Sequence, residues 1–268
     1  MVTSWAQAVA ARPLAVRPTM PDTLQQTRAM AWRALLKMRR NPEQFFDVTL
    51  QPLLFTAMFT YIFGGAVAGS AHNYLPIIIP GILAQTTLTA CMAMGIQLRE
   101  DMDKGVFDRF KSLPIAPLAG PAIADLLRYA VAATLTILVG LAMGYRPGGG
   151  VGGVLAGWAL TVAAGWSLAW VFTWLGTIAR SAQAVQGISM MFMFPLTFLS
   201  NAFVPTQTMP GWLQTFVKIN PVSQVIYACR DLMNDGRFTA HVGWAAIGCA
   251  VIVAVFAPLA VRSYARKM

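Results

Sequence analysis

Charge is what this chain has least of. Only 11% of its residues are Asp, Glu, Lys or Arg, while 57% are hydrophobic; a soluble globular domain carries about 25% charged residues. A surface so poor in charge excludes water as the solvent for most of the chain, and a mean hydropathy of +0.58 points to lipid. Acid is scarcer than base, ten residues against twenty. The basic residues fall between apolar runs rather than on one soluble face, which excludes nucleic acid and marks a topological charge bias. Cysteine is limited to Cys91, Cys229 and Cys249, far apart and without CxxC spacing. That pattern excludes a disulfide framework or a cysteine metal site, and the three read as small apolar packers. No GxxxxGK[ST] occurs, so the chain has no ATP site of its own. The glycine-rich run 148–153 lacks the phosphate-reaching lysine and reads as a flexible loop. The first 44 residues hold seven Lys/Arg and no long apolar run; no cleavable signal peptide is expected, and the first span inserts by itself.

Long apolar stretches are what the chain does have. Six of them lie near 46–66, 74–98, 122–144, 152–178, 183–203 and 242–261, and 268 residues accommodate six spans of ~20 residues each. The expectation is an all-α integral membrane protein with a single six-span domain over 46–261. A flexible tail (1–21) and an amphipathic helix (22–41) precede it, and a short tail (262–268) follows. Asp22 and Gln25 form a capping-box-like pair. Leu24, Ala31, Leu35 and Met38 then share one face, Arg28, Arg33, Lys37, Arg39 and Arg40 fill the rest, and Asn41-Pro42 ends the helix. Such a basic amphipathic helix lies in the membrane interface. Pro52, Pro80, Pro195 and Pro258 sit in or near spans, where neighbouring helices can satisfy the carbonyls that proline frees. Pro195 is expected to kink the fifth span at its middle.

With both termini inside, fifteen Lys/Arg fall on the cytoplasmic side and four (Arg146, Lys218, Arg230, Arg237) outside. The positive-inside rule therefore places both termini in the cytoplasm. Two connections are more than turns. The cytoplasmic one, 99–121, is densely charged and then amphipathic through Phe107, Phe110 and Leu113. The outer one, 205–236, carries Met209, Trp212, Leu213, Phe216 and Val217 at helical spacing, breaks at Asn220-Pro221, and repeats the pattern with Val222, Val225, Ile226 and Cys229. Gly236 can close the second piece. Each piece is too short to span, so the segment reads as a re-entrant helical hairpin between spans five and six.

Chemistry-bearing residues are few. Ser167 and His241 superficially form a dyad, but His241 lies at an aqueous end and Ser167 at depth, out of mutual reach. Asp125 and Arg128, spaced i,i+3 at the start of span three, fit a structural ion pair better than a proton relay. No acid lies nearer mid-membrane, which argues for an external motor, although an ion-gradient carrier and an intramembrane enzyme remain as alternatives. Span five is rich in Met190, Met191, Phe192, Met193, Phe194 and Phe198. These are either packing and lipid-facing residues or the wall of an apolar path or dimer seam. Span two contributes Gln85, Thr86, Thr87 and Thr89, polar groups suited to a bundle interior.

Three stretches resemble the ABC transporter type-2 permease family, within it the daunorubicin-resistance-type drug and lipid exporters. They are LREDMDKGVFDRFKSLPIAPL, FPLTFLSNAFVPTQTMPGWLQTFVKINPVSQVIYACRDL and the amphipathic helix before span one. The resemblance implies a permease subunit in a bacterial plasma membrane that exports a hydrophobic compound. It would dimerise with a second copy or a paralogue and bind two copies of a separate ABC ATPase, which holds the ATP and Mg. Glu100, Asp101, Gly105, Phe107, Arg109 and Phe110 would be the coupling contacts. Gln85, Thr89, Met193, Phe194 and Thr197 would line the substrate path.

Overall fold

The computed structural model describes residues 42–104 and 119–266. Every regular element among them is helical: α1 (Pro42–Ala68), α2 (Ala71–Ala90), α3 (Met92–Asp103), α4 (Ala119–Ala142), α5 (Gly150–Ile178), α6 (Ala182–Phe198), α7 (Gly211–Ile219), α8 (Pro221–Arg230) and α9 (Ala240–Ala265). A 3-10 turn covers Thr206–Thr208 and a π turn Asp231–Asp235. The expected interfacial helix at 22–41 and residues 105–118 of the charged connection lie outside the described residues.

The six apolar stretches of the sequence coincide with α1, the α2–α3 rod, α4, α5, α6 and α9. Four segments are long and apolar enough to cross a membrane: Ala71–Asp103, Asp125–Ala142, Gly150–Ile178 and Ala240–Tyr264; Leu53–Ala68 is apolar but shorter. The centre of the bundle is α2. Within the Ala71–Asp103 span 67% of the apolar window is buried, against 11% for α9. Tyr74, Ile78, Ile79, Ile82, Leu83 and Leu88 are fully enclosed, because α1, α4, α5 and α8 all pack on α2.

Small residues let the helices approach this closely. Along α5, Gly153, Gly157, Thr161, Gly165, Ala169, Thr173 and Gly176 form a buried stripe, the small-xxx-small pattern of membrane helix contacts. A Cβ on Gly176 would collide with the Gly95 carbonyl, and one on Gly95 with the Phe172 carbonyl, so α3 and α5 touch backbone to backbone. The run at 148–153 is therefore not a flexible loop. Its helix begins at Gly150, Gly149 donates its N–H to Met233 O at 2.9 Å, and Gly153 lies under the Leu232 carbonyl. Glycine is needed there because the π turn rests directly on that backbone.

The fifth apolar stretch also differs from expectation. Pro195 lies in the last turn of α6, which ends at Phe198, so it falls at the end of the helix and not at mid-length, where a kink is expected. Residues 199–204 continue without regular structure, and Ser200, Asn201, Ala202 and Phe203 are all buried. Irregular backbone at such depth survives only where protein satisfies its polar groups.

Candidate functional site

The buried connection is held by α8. The break expected at Asn220-Pro221 is present. Asn220 caps α8 by accepting the Val222 N–H at 2.9 Å, and its Nδ2 donates to Leu196 O of α6 at 2.7 Å. Beyond it, Val222, Val225, Ile226 and Cys229 face the core as the sequence spacing requires. Gly236 closes the following π turn with φ of 65°, a left-handed conformation that favours glycine.

At the end of α8 the guanidinium of Arg230 turns inward. It donates to Ile77 O of α2 at 2.8 Å, to Asn201 O at 2.6 Å and to Ala202 O at 3.3 Å. Burial pulls this group down to about 10, so it keeps its charge at neutral pH. The same connection receives the Tyr74 hydroxyl at Phe203 O, 2.5 Å away. One turn on, Asn234 Nδ2 donates to Pro76 O at 2.9 Å, the carbonyl that Pro80 leaves without its helical donor. Asn234 Oδ1 accepts from the Tyr145 hydroxyl at 2.6 Å, and burial pushes that phenol well above its ordinary value. Arg230, Asn234 and Tyr145 thus lock the α8–π segment onto α2 and the α4–α5 connection. Sequence reasoning missed their role. The available signal was a lone arginine continuing the apolar face Val222, Val225, Ile226, Cys229.

A second polar cluster marks the break between α2 and α3 at Cys91. Asp125 and Arg128 pair at 2.8 Å, as their spacing predicts, and Arg128 also donates to Ala90 O at 2.9 Å, across the interface with the last turn of α2. Past the break, α3 ends in exposed charge. Glu100, Asp101, Asp103 and Lys104 are solvent-facing, and two surface pairs, Arg99–Asp103 and Glu100–Lys104, stabilise the final turn. Of the residues expected to make coupling contacts, Glu100 and Asp101 stand on this turn; Gly105, Phe107, Arg109 and Phe110 lie outside the described residues.

A cavity of about 510 Å³ lies where α2, α5, α6, the α7–α8 pair and α9 meet. Its walls are apolar, with Leu88, Leu168, Met193, Leu196, Val225 and Ile252, and Lys218, Gln224 and His241 stand among them as the polar groups. Of the five expected path residues, Met193 alone lines it. Gln85 and Thr197 are buried elsewhere, Thr89 is half-buried and donates to Gln85 O at 2.8 Å, and Phe194 is exposed and stacked on Phe198. Ser167 and His241 do not meet. The serine donates to Ala163 O at 2.7 Å, while His241 Nδ1 lies 3.0 Å from Gln224 Oε1 and its ring stacks on Tyr227.

The family profile described as "ABC-2 type transporter" matches residues 25–234, which includes α1 to α8 and the Arg230 clamp. The chain belongs to the ABC-2 type transporter family. Similar to this ABC-2 chain is the daunorubicin resistance ABC transporter permease protein DrrB1 of Streptomyces coeruleorubidus, 41% identical over 94% of the chain and 90% of that protein. A probable doxorubicin resistance ABC transporter permease protein DrrC of Mycobacterium tuberculosis is 26% identical over 97% of each. A putative transport permease, ycf38, of Porphyra purpurea is 25% identical over 87% of the chain and 84% of that protein. The ABC-2 chain is accordingly a multi-pass membrane permease.

Proposed function

We propose that this permease is the membrane-spanning subunit of an ATP-driven exporter that moves a hydrophobic compound, drug-like or lipid, out across a plasma membrane. The work comes from ATP and Mg bound by a separate ATPase. Likeness to two drug-resistance permeases over nearly the whole chain supports the cargo class. The observation that carries the reading is the α2–α3 rod. It is buried through the bundle and ends in the exposed charged turn Arg99–Lys104, where the chain enters 105–118. A charged turn leaving an apolar bundle suits docking to a soluble motor.

In this reading α1, α2–α3, α4, α5, α6 and α9 are six spans, α7 and α8 form a re-entrant hairpin on the outer side, and both termini are cytoplasmic. Two copies, or one copy and a paralogue, pair through exposed apolar faces such as Tyr61 and Ile62 on α1 and Met191 and Phe192 on α6. Gln85, Thr89, Met193, Phe194 and Thr197 line the route, and Glu100, Asp101, Gly105, Phe107, Arg109 and Phe110 receive two ATPase copies.

Affinity purification from native membranes in mild detergent tests this. A stoichiometric P-loop ATPase should co-purify and be lost when residues 99–114 are replaced. Glu100→Ala should leave folding untouched, because an exposed i,i+4 pair contributes about 0.3–0.5 kcal/mol, yet should cut ATP-linked export. Normal export by Glu100→Ala would remove it from the coupling contact. Asp125→Asn should leave export in place, and uncouplers should not stop it; a carrier driven by an ion gradient would lose transport under either treatment.

A further inference from the structure

The lateral cavity carries an assignment that does not depend on export, only on the chain lying in a bilayer. Its volume of about 510 Å³ falls within the roughly 300–1,000 Å³ of small-molecule sites. Lys218, Ile219 and Trp244 line it and are exposed, so it opens to the exterior between α7 and α9. Below that mouth the walls are hydrocarbon: Leu88 from α2, Leu168 from α5, Met193 and Leu196 from α6, Ile252 from α9. An apolar cavity open sideways to a bilayer faces acyl chains as its most abundant apolar occupants.

The mouth has one sign of charge. Among the described residues Lys218 is the one charged side chain in the lining, and no Asp or Glu lines the cavity. Gln224 and His241, the other polar lining side chains, lie 3.0 Å apart, and neither carries the negative charge that would compete for Lys218. Ala240 and His241, the first residues of α9, also stand in the wall. Among the described residues no side chain caps that 26-residue helix; the Thr239 hydroxyl at the cap position donates to Asp231 Oδ2. The dipole of that helix adds positive potential beside Lys218 at this end. Trp212, Trp244 and Ile219 are exposed around α7 and the start of α9, a placement expected of aromatic side chains at headgroup depth.

We propose that this cavity is a binding site for an anionic phospholipid from the leaflet on the α7–α8 side. One acyl chain fills the space between α5, α6 and α9, and the phosphate sits against Lys218 and the N-terminus of α9. Bound there, the lipid bridges α9, which is otherwise little buried, to the α7–α8 pair.

The test uses the full chain in nanodiscs of phosphatidylcholine doped with acyl-brominated phosphatidylglycerol or acyl-brominated phosphatidylcholine. Bromine quenches nearby tryptophan, and subtraction of a Trp244→Phe variant isolates the signal of Trp244. The anionic lipid is expected to quench Trp244 at about fivefold lower mole fraction than the zwitterionic one, the contribution of roughly one lysine near an anionic headgroup. Lys218→Gln should bring that ratio close to one. Gly248→Leu should remove the selective quenching by occupying the cavity; a Cβ there meets nothing within 4 Å, so the fold is spared. Equal quenching by the two lipids, or a preference that survives Lys218→Gln, overturns the proposal. Relief of the quenching by excess inorganic phosphate would show a free-anion site instead. Equal quenching by a brominated alkane would show a cavity without headgroup recognition.

Discussion

Arg230→Met is expected to abolish the stable fold. The variant should aggregate in detergent at temperatures where the parent chain remains monodisperse, read by fluorescence-detected size-exclusion after heating. Arg230 is the donor to Asn201 O and Ala202 O in a buried connection without helical hydrogen bonds, and it also reaches Ile77 O on α2. Methionine fills similar volume but offers no donor. Each carbonyl orphaned in this way costs about 1–3 kcal/mol, and two or three are lost together. Arg230→Lys should fall between parent and Met, since an ammonium keeps the charge but lacks the planar fork that reaches several acceptors at once. Parent-like stability of Arg230→Met would mean that water replaces the guanidinium and that the clamp is not structural.

Gly176→Ala and Gly95→Ala are expected to separate α3 from α5. In most membrane helices a glycine-to-alanine change is small. Here each added methyl would meet backbone, the Gly95 carbonyl in one case and the Phe172 carbonyl in the other, and backbone cannot rotate away. The cost belongs at the upper end of the overpacking range, about 3 kcal/mol. Thermal unfolding of the purified chain should show it. Gly187→Ala is the control: it lies on α6 with nothing within 4 Å of its Cβ position, and should be neutral or slightly stabilising. Equal effects at all three positions would show that the loss comes from backbone entropy and not from the helix crossing.

The helices were legible in the sequence wherever apolar length alone decides. The stretch 152–178 became α5, and 74–98 became the buried rod, because a lipid solvent leaves the backbone no alternative to a helix. The Asn220-Pro221 break and the Gly236 stop were equally plain, since both rest on local chemistry: a side-chain cap with a proline at the first helical position, and a left-handed φ. Asp125 and Arg128 were legible as a pair for the same reason, lying one turn apart. What could not be read was contact between distant segments. The run at 148–153 looks flexible until Leu232 is known to lie on Gly153. Arg230 counts as one more basic residue until the carbonyls of Ile77, Asn201 and Ala202, which it lies beside only in the fold, are in place. The early end of α6 has the same origin: Tyr74 and Arg230 supply hydrogen bonds that let residues 199–204 leave the helix while buried. Lys218 and Gln224 reach the cavity from the α7–α8 pair and His241 from α9, and its other walls come from α2, α5 and α6, so no spacing pattern announces it.

The junction at Cys91 has a consequence for where the charge stands. Cys91 keeps right-handed helical angles, φ −68° and ψ −21°, between α2 and α3, and α3 is pinned to α5 where Gly95 meets Gly176 and Phe172 backbone to backbone. At 1.5 Å of rise per residue the twelve residues of α3 carry their charged end about 18 Å beyond the turn that Arg128 holds through Ala90 O. Glu100 and Asp103 are thus borne on a stiff strut fixed to the core at its base, not on a loop.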